Sequence, residues 1–149
     1  MPPLYIVINL AAQQFSDPDI VNKVHNILTE LDIDPELIGL EITETALMNN
    51  FDVAIEALVQ LRNLGISIAI DDFGTGYSSL SHLKTLPADT LKIDRSFIMG
   101  VAEAGSGDQK IVEIILVMAS KLQLKVVAEG IETHDQLIFL QKNGCDFGQ

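Results

Sequence analysis

ISIAIDDFGTGYSSL, residues 66–80, decides the fold class. Ile66, Ser67, Ile68, Ala69 and Ile70 are apolar or small and read as a buried strand, ending in two adjacent carboxylates, Asp71 and Asp72. Phe73-Gly74-Thr75-Gly76 follows, a loop whose two glycines allow positive φ or close approach to a ligand. A strand that delivers acids at its C-terminal edge and then enters a glycine loop is how α/β sheets and barrels build their sites. A plain solvated turn needs one Asp or Asn, not a pair beside Gly-x-Gly, and accounts for the stretch less well.

Outward from this stretch, residues 4–10 (LYIVINL), 37–43 (LIGLEIT), 90–94 (TLKID), 124–128 and 145–149 read as further strands. Helical spacing lies between them. Ile20, Val21, Val24, Ile27, Leu28 and Leu31 follow an Asp17-Pro18 start, and Ala54, Ala57, Leu58, Leu61 and Leu64 are stopped by Gly65. A short helix is predicted over 78–86, and another with Ile111, Ile114, Ile115, Met118 and Leu122 on its face. The last carries Leu137 and Leu140 behind a Thr133/Gln136 capping box and is stopped by Gly144. The β-α rhythm with near-continuous apolar strands predicts an α/β fold with a parallel sheet covered by helices.

The chain has 149 residues, 48% of them hydrophobic, which predicts one domain able to bury a core and no second domain. It lacks an apolar run of membrane-spanning length and a basic-then-apolar start, so neither a span nor a leader is expected, nor membrane contact by this domain. Cys145 is the single cysteine and fits a reducing cytoplasm. A net charge of −12 argues against a nucleic-acid polymer as partner, since such grooves rest on Lys and Arg. A phosphate substrate would need cations to supply positive charge.

The polar residues of the strands are distinctive in where they fall. Asn9, Glu41, Asp71, Asp72, Lys92, Asp94 and Glu129 each lie within or at the C-terminal end of a predicted strand. In a parallel sheet these ends share one edge, so the side chains converge. So many carboxylates together repel without cations, and oxygen-only ligands suit Mg²⁺ or Mn²⁺ rather than a structural zinc. Two such ions can clamp an attacking water and a leaving oxygen in a phosphoryl displacement, with Lys92 stabilising developing negative charge. A receiver-like phospho-acceptor domain fits less well, because Lys92 is followed by Ile93 rather than a proline and acids recur on several strands.

INL at 8–10, EITET at 41–45, DDFGTGYSSL at 71–80, LKIDRSFI at 91–98, VAEGIET at 127–133 and GCDFGQ at 144–149 resemble, in order, the motifs of the EAL family. These are bacterial phosphodiesterases that open cyclic di-GMP. The resemblance implies a TIM-like (β/α)8 barrel and divalent-metal hydrolysis to linear pGpG in bacterial signalling. It places Asn9, Glu41, Asp71 and Asp72 on the metals and Glu129 at the water, as base or as a further ligand. Lys92 is placed against water and phosphate, and Glu44 is set to hold the loop containing Gly74, Thr75 and Gly76. Asp94, Glu132 and Gln149 match further motif positions of the site.

Two departures from the family pattern stand out. The Glu-Ala-Leu motif with its following Arg, expected at metal and substrate phosphate, is absent from these residues. A full barrel takes about 250 residues, whereas about five to six βα units are counted here. The expectation is an incomplete barrel, truncated at both ends, whose unpaired strand edges favour a homo-oligomer. The alternative to hydrolysis is an inactive EAL module that binds cyclic di-GMP or a protein partner.

Overall fold

The computed structural model describes residues 4–49, 51–76 and 80–149. Among them, six parallel strands form one sheet: β1 (Ile6–Asn9), β2 (Ile38–Thr43), β3 (Ser67–Phe73), β4 (Thr90–Ile93), β5 (Lys125–Ala128) and β6 (Phe147–Gly148). Their spatial order is their chain order. A doubly wound sheet reverses direction at a switch point, and this one never does, so it curls as a barrel wall does. The fold is an incomplete TIM-like α/β barrel of the kind the motifs imply.

Side chains of a strand alternate between faces, and the two faces here differ in kind. Leu40, Ile42, Ile68, Ile70, Leu91, Ile93, Val126 and Ala128 are buried under the helices. The opposite, concave face encloses a cavity of about 220 Å³ lined by Gly39, Glu41, Ala69, Thr90, Lys92 and Val127, among others. Gly39, Ser67, Ala69 and Thr90 contribute small side chains to it, and polar ones gather towards the strands' C-terminal ends. The helices α1 (Ile20–Glu30), α2 (Glu44–Asn49), α3 (Phe51–Asn63), α4 (Leu80–Thr85), α5 (Arg95–Ile98), α6 (Gly107–Lys121) and α7 (His134–Lys142) complete the described chain, with two short 3-10 turns. Helix α3 buries Ala54, Ala57, Leu58 and Leu61, as its spacing predicts.

Several local expectations change. Strand β3 does not stop at Ile70 but runs through both aspartates to Phe73, with a register shift against β4 between Ile70 and Phe73. Helix α1 begins at Ile20 with Asp19 at its cap position, because Asp17 instead accepts from the Asp19 amide at 3.0 Å. Helix α6 buries Val112, Ile115, Leu116 and Ala119, leaving Ile111 and Ile114 exposed at 40% and 67%. Its sequence is apolar on two sides, so periodicity alone cannot choose the buried one. Residues 78 and 79 of the predicted short helix lie outside the described residues, and α4 covers its remainder to Thr85.

Candidate active site at the C-terminal edge of the sheet

Lys92, on β4, is the hub of the site. Its side chain is 9% exposed, and Nζ lies 2.6 Å from Glu129 Oε1, 2.9 Å from Glu41 Oε1 and 3.3 Å from Asp71 Oδ1. Three carboxylates from three parts of the sheet edge thus form ion pairs with one ammonium. Burial, the largest influence, works against its charge, yet the bonds to Glu129 and Glu41 and the field of Asp71 together hold its proton more tightly than an ordinary lysine does. Lys92 therefore stays a cation throughout the working pH range.

Asp71 and Asp72 are neighbours in a strand, where alternation sends successive side chains to opposite faces. The register shift after Ile70 and the left-handed backbone of Asp72 (φ 54) break that alternation. Each aspartate thus offers an oxygen within 4.8 Å of the other and of Glu129. Asp is among the few side chains that tolerate this backbone region. Burial, and then the charges of Asp71, Asp94 and Glu129, raise the proton affinity of Asp72.

The loop beyond is held from below. Glu44, the first residue of α2 and only 2% exposed, accepts from the amides of Gly74 at 2.9 Å and Gly76 at 3.2 Å through Oε2. A Cβ on Gly76 would meet the Glu44 carboxyl carbon at 2.9 Å, so the glycine is needed for this approach. Thr75 turns inward on the loop itself, its hydroxyl donating to the Asp72 carbonyl at 2.8 Å.

The remaining candidates are arranged around this centre. Asn9 ends β1 in register with Glu41, beside the hub. Gln149 lines the concave cavity with Glu41 and Lys92, its backbone N–H donating to the Ala128 carbonyl. Asp94 lies just past β4 rather than in it, and caps α5 by accepting from the Ser96 amide at 2.9 Å. Glu132 is drawn to Arg95, whose Nη2 donates to it at 2.6 Å. Sequence reasoning assigned no part to Arg95 or Phe97, although both stand in the quoted stretch LKIDRSFI, directly after Asp94.

The donor set fits a hard divalent cation. Asp71, Asp72 and Glu129 present three oxygens close enough to share an ion, and Glu41 adjoins them through Lys92. The raised proton affinity of Asp72 is the signature of negative charge that a cation relieves.

Comparison with known proteins places the chain in a family. The family model of the EAL domain matches residues 2–149. The chain belongs to the EAL domain family. This EAL chain is 47% identical over 146 residues, 98% of its length, to the cyclic di-GMP phosphodiesterase NbdA of Pseudomonas aeruginosa, and spans 18% of that protein. With the solved phosphodiesterase MucR of the same organism, in complex with c-di-GMP, it shares 46% identity and a TM-score of 0.87 over 95% of its length and 57% of that chain. BlrP1 of Klebsiella pneumoniae, solved with manganese and cyclic di-GMP, matches at 33% identity and a TM-score of 0.86 over 98% of this chain and 37% of that one. The EAL chain thus spans about a fifth of the length of the curated relatives it matches.

Proposed function

We propose that the chain carries a phosphodiesterase site that hydrolyses cyclic di-GMP to linear pGpG, with two Mg²⁺ or Mn²⁺ ions. The observation that carries this reading is the convergence of Asp71, Asp72 and Glu129 within 4.8 Å, next to the Lys92 hub, in a chain of this family. Asn9, Glu41, Asp71, Asp72 and Glu129 would hold the ions. When bound, the cations supply charge neutralisation at the phosphodiester and acidify a water.

This chain's own residues divide the remaining work. Lys92 is held protonated, so it cannot take a proton; it offers positive charge to the phosphoryl oxygens. The proton of the attacking water passes to a carboxylate; Glu129, which makes the shortest of the three Lys92 contacts at 2.6 Å, is the assigned acceptor. Water oxygen bonds to phosphorus, the bond to the 3′ oxygen breaks, and that oxygen takes a proton from solvent water to become the 3′ hydroxyl of pGpG. Asp94, Glu132, Gln149 and the Gly74-Thr75-Gly76 loop stand around this centre as its supports.

Strand β1 and the two residues before it leave Leu4, Tyr5, Ile6, Val7 and Ile8 between 44% and 75% exposed, and pairing with a second copy through this edge supports the homo-oligomer reading. Light scattering that returns a monomer mass at every concentration counts against that part. Among the described residues no helix is long and apolar enough to cross a membrane, and a cytoplasmic setting fits the free Cys145.

The test of function is chromatography of cyclic di-GMP incubated with the protein and Mn²⁺, beside a Glu129→Gln control. Linear pGpG in the unsubstituted sample alone supports hydrolysis. Bound but unchanged cyclic di-GMP in both samples supports the alternative, an inactive module that binds without hydrolysis.

A further inference from the structure

Two site loops pass a glycine of positive φ under the same four-residue helix. Gly74 (φ 99) stands two residues after Asp72, and Gly130 (φ 71) directly follows Glu129. A Cβ on Gly74 would meet Phe97 Cε2 at 2.7 Å. A Cβ on Gly130 would meet the Arg95 stem, with Cδ at 2.8 Å, and Arg95 then reaches on to Glu132 at 2.6 Å. Phe97 and Arg95 both belong to α5, which begins only three residues after Lys92 of β4. The helix itself is fixed: Asp94 caps it, and Ile98 is fully buried against the core.

We propose that Arg95 and Phe97 are positioning residues, which set the separation of the Asp71–Asp72 pair from Glu129 by resting on Gly130 and Gly74. The inference rests on the metal-site reading above. Stability is not what the Arg95 contact supplies. Its pair with Glu132 is 57% and 59% exposed, and exposed pairs contribute about 0–1 kcal/mol. Its stem instead covers Gly130, the residue best able to swing the Glu129 carboxylate out of reach of the aspartates. Phe97 does the same for the loop that Glu44 holds from its other side.

The test uses Arg95→Ala, Arg95→Met (stem without charge), Phe97→Ala and Phe97→Leu, with two readouts. The first is Mn²⁺ binding to the chain by electron paramagnetic resonance. Affinity is expected to fall about 10- to 100-fold in the alanine variants, the usual cost of losing a support behind metal ligands, and to be largely restored by Met and Leu. In turnover assays kcat is expected to fall while KM stays. The second readout is amide exchange without metal: residues 71–76 and 129–132 lose protection in the alanine variants while β2 and β4 keep theirs.

Unchanged Mn²⁺ affinity in both alanine variants overturns the proposal. If the unsubstituted chain binds no Mn²⁺, the metal-site reading falls. Amide exchange then still decides the positioning role, retained protection overturning it and selective loss upholding it. Loss of protection throughout the sheet in Phe97→Leu as well as Phe97→Ala would also overturn it, marking Phe97 as core only.

Discussion

Lys92 Nζ lies 2.6 Å from Glu129 Oε1, and the same ammonium reaches Glu41 and Asp71 on two other strands. One cation thus ties β2, β3, β4 and the end of β5 together where their charges would otherwise repel. Removing it leaves partly buried carboxylates uncompensated, a change that costs about 3 kcal/mol or more. Lys92→Met is expected to lower the melting temperature without metal, to gain more from added Mn²⁺ than the unsubstituted chain does, and to abolish turnover. Calorimetry with and without Mn²⁺ checks this; equal Mn²⁺-induced shifts in both proteins would count against it.

Asp72 trades stability for the site. Its carboxylate is penalised by burial and then by Asp71, Asp94 and Glu129, and it occupies left-handed backbone. Asn tolerates that backbone and carries no charge. Asp72→Asn is therefore expected to stabilise the metal-free chain by about 1 kcal/mol while weakening Mn²⁺ binding. Chemical denaturation paired with a Mn²⁺ titration measures both, and a destabilised variant would contradict the assignment.

Glu44 is buried for the sake of two amides. Glu44→Ala leaves the Gly74 and Gly76 N–H groups without their carboxylate, at a cost of about 2 kcal/mol, and slackens the loop that carries Asp72. Glu44→Gln keeps an acceptor oxygen and is expected to recover much of the stability. Urea melts and kcat of the two variants should rank in that order, and equal losses would show that charge rather than acceptance matters.

Asp94 links the site to pH. The Ser96 hydroxyl, against the opposing effect of burial, and then the Ser96 amide hold its proton affinity below that of an ordinary aspartate. Its folded pKa is thus the lower one, so the stabilisation is complete above the unfolded value of about 3.9 and is lost as pH falls through the folded value. Ser96→Ala should cost about 1 kcal/mol near neutral pH. That deficit should shrink in acid, and acid titration of both proteins shows whether it does.

The parallel strands and the identity of the site edge are legible because near-continuous apolar runs end in acids at regular intervals, and the motif resemblance implies the barrel. Glu41, Asp71, Lys92 and Glu129 group from the sequence alone, since parallel strands bring their C-terminal ends together. What remained hidden depends on geometry that residue spacing does not encode. The register shift that turns Asp71 and Asp72 to one side leaves no periodic trace. Helix α5 is one turn long, too short to show a period, so Arg95 and Phe97 passed as motif letters without a role. The buried side of α6 is not encoded in its spacing, because Ile111 and Ile114 are as apolar as the buried Val112 and Leu116.

The most direct measurement follows conversion of cyclic di-GMP to pGpG by the full-length protein as free Mn²⁺ is raised from a chelated baseline, with Glu129→Gln run in parallel. The account predicts no product under chelation, turnover that saturates with Mn²⁺, and none at any Mn²⁺ concentration in the variant. Turnover that ignores the chelator, or that survives Glu129→Gln, would contradict it.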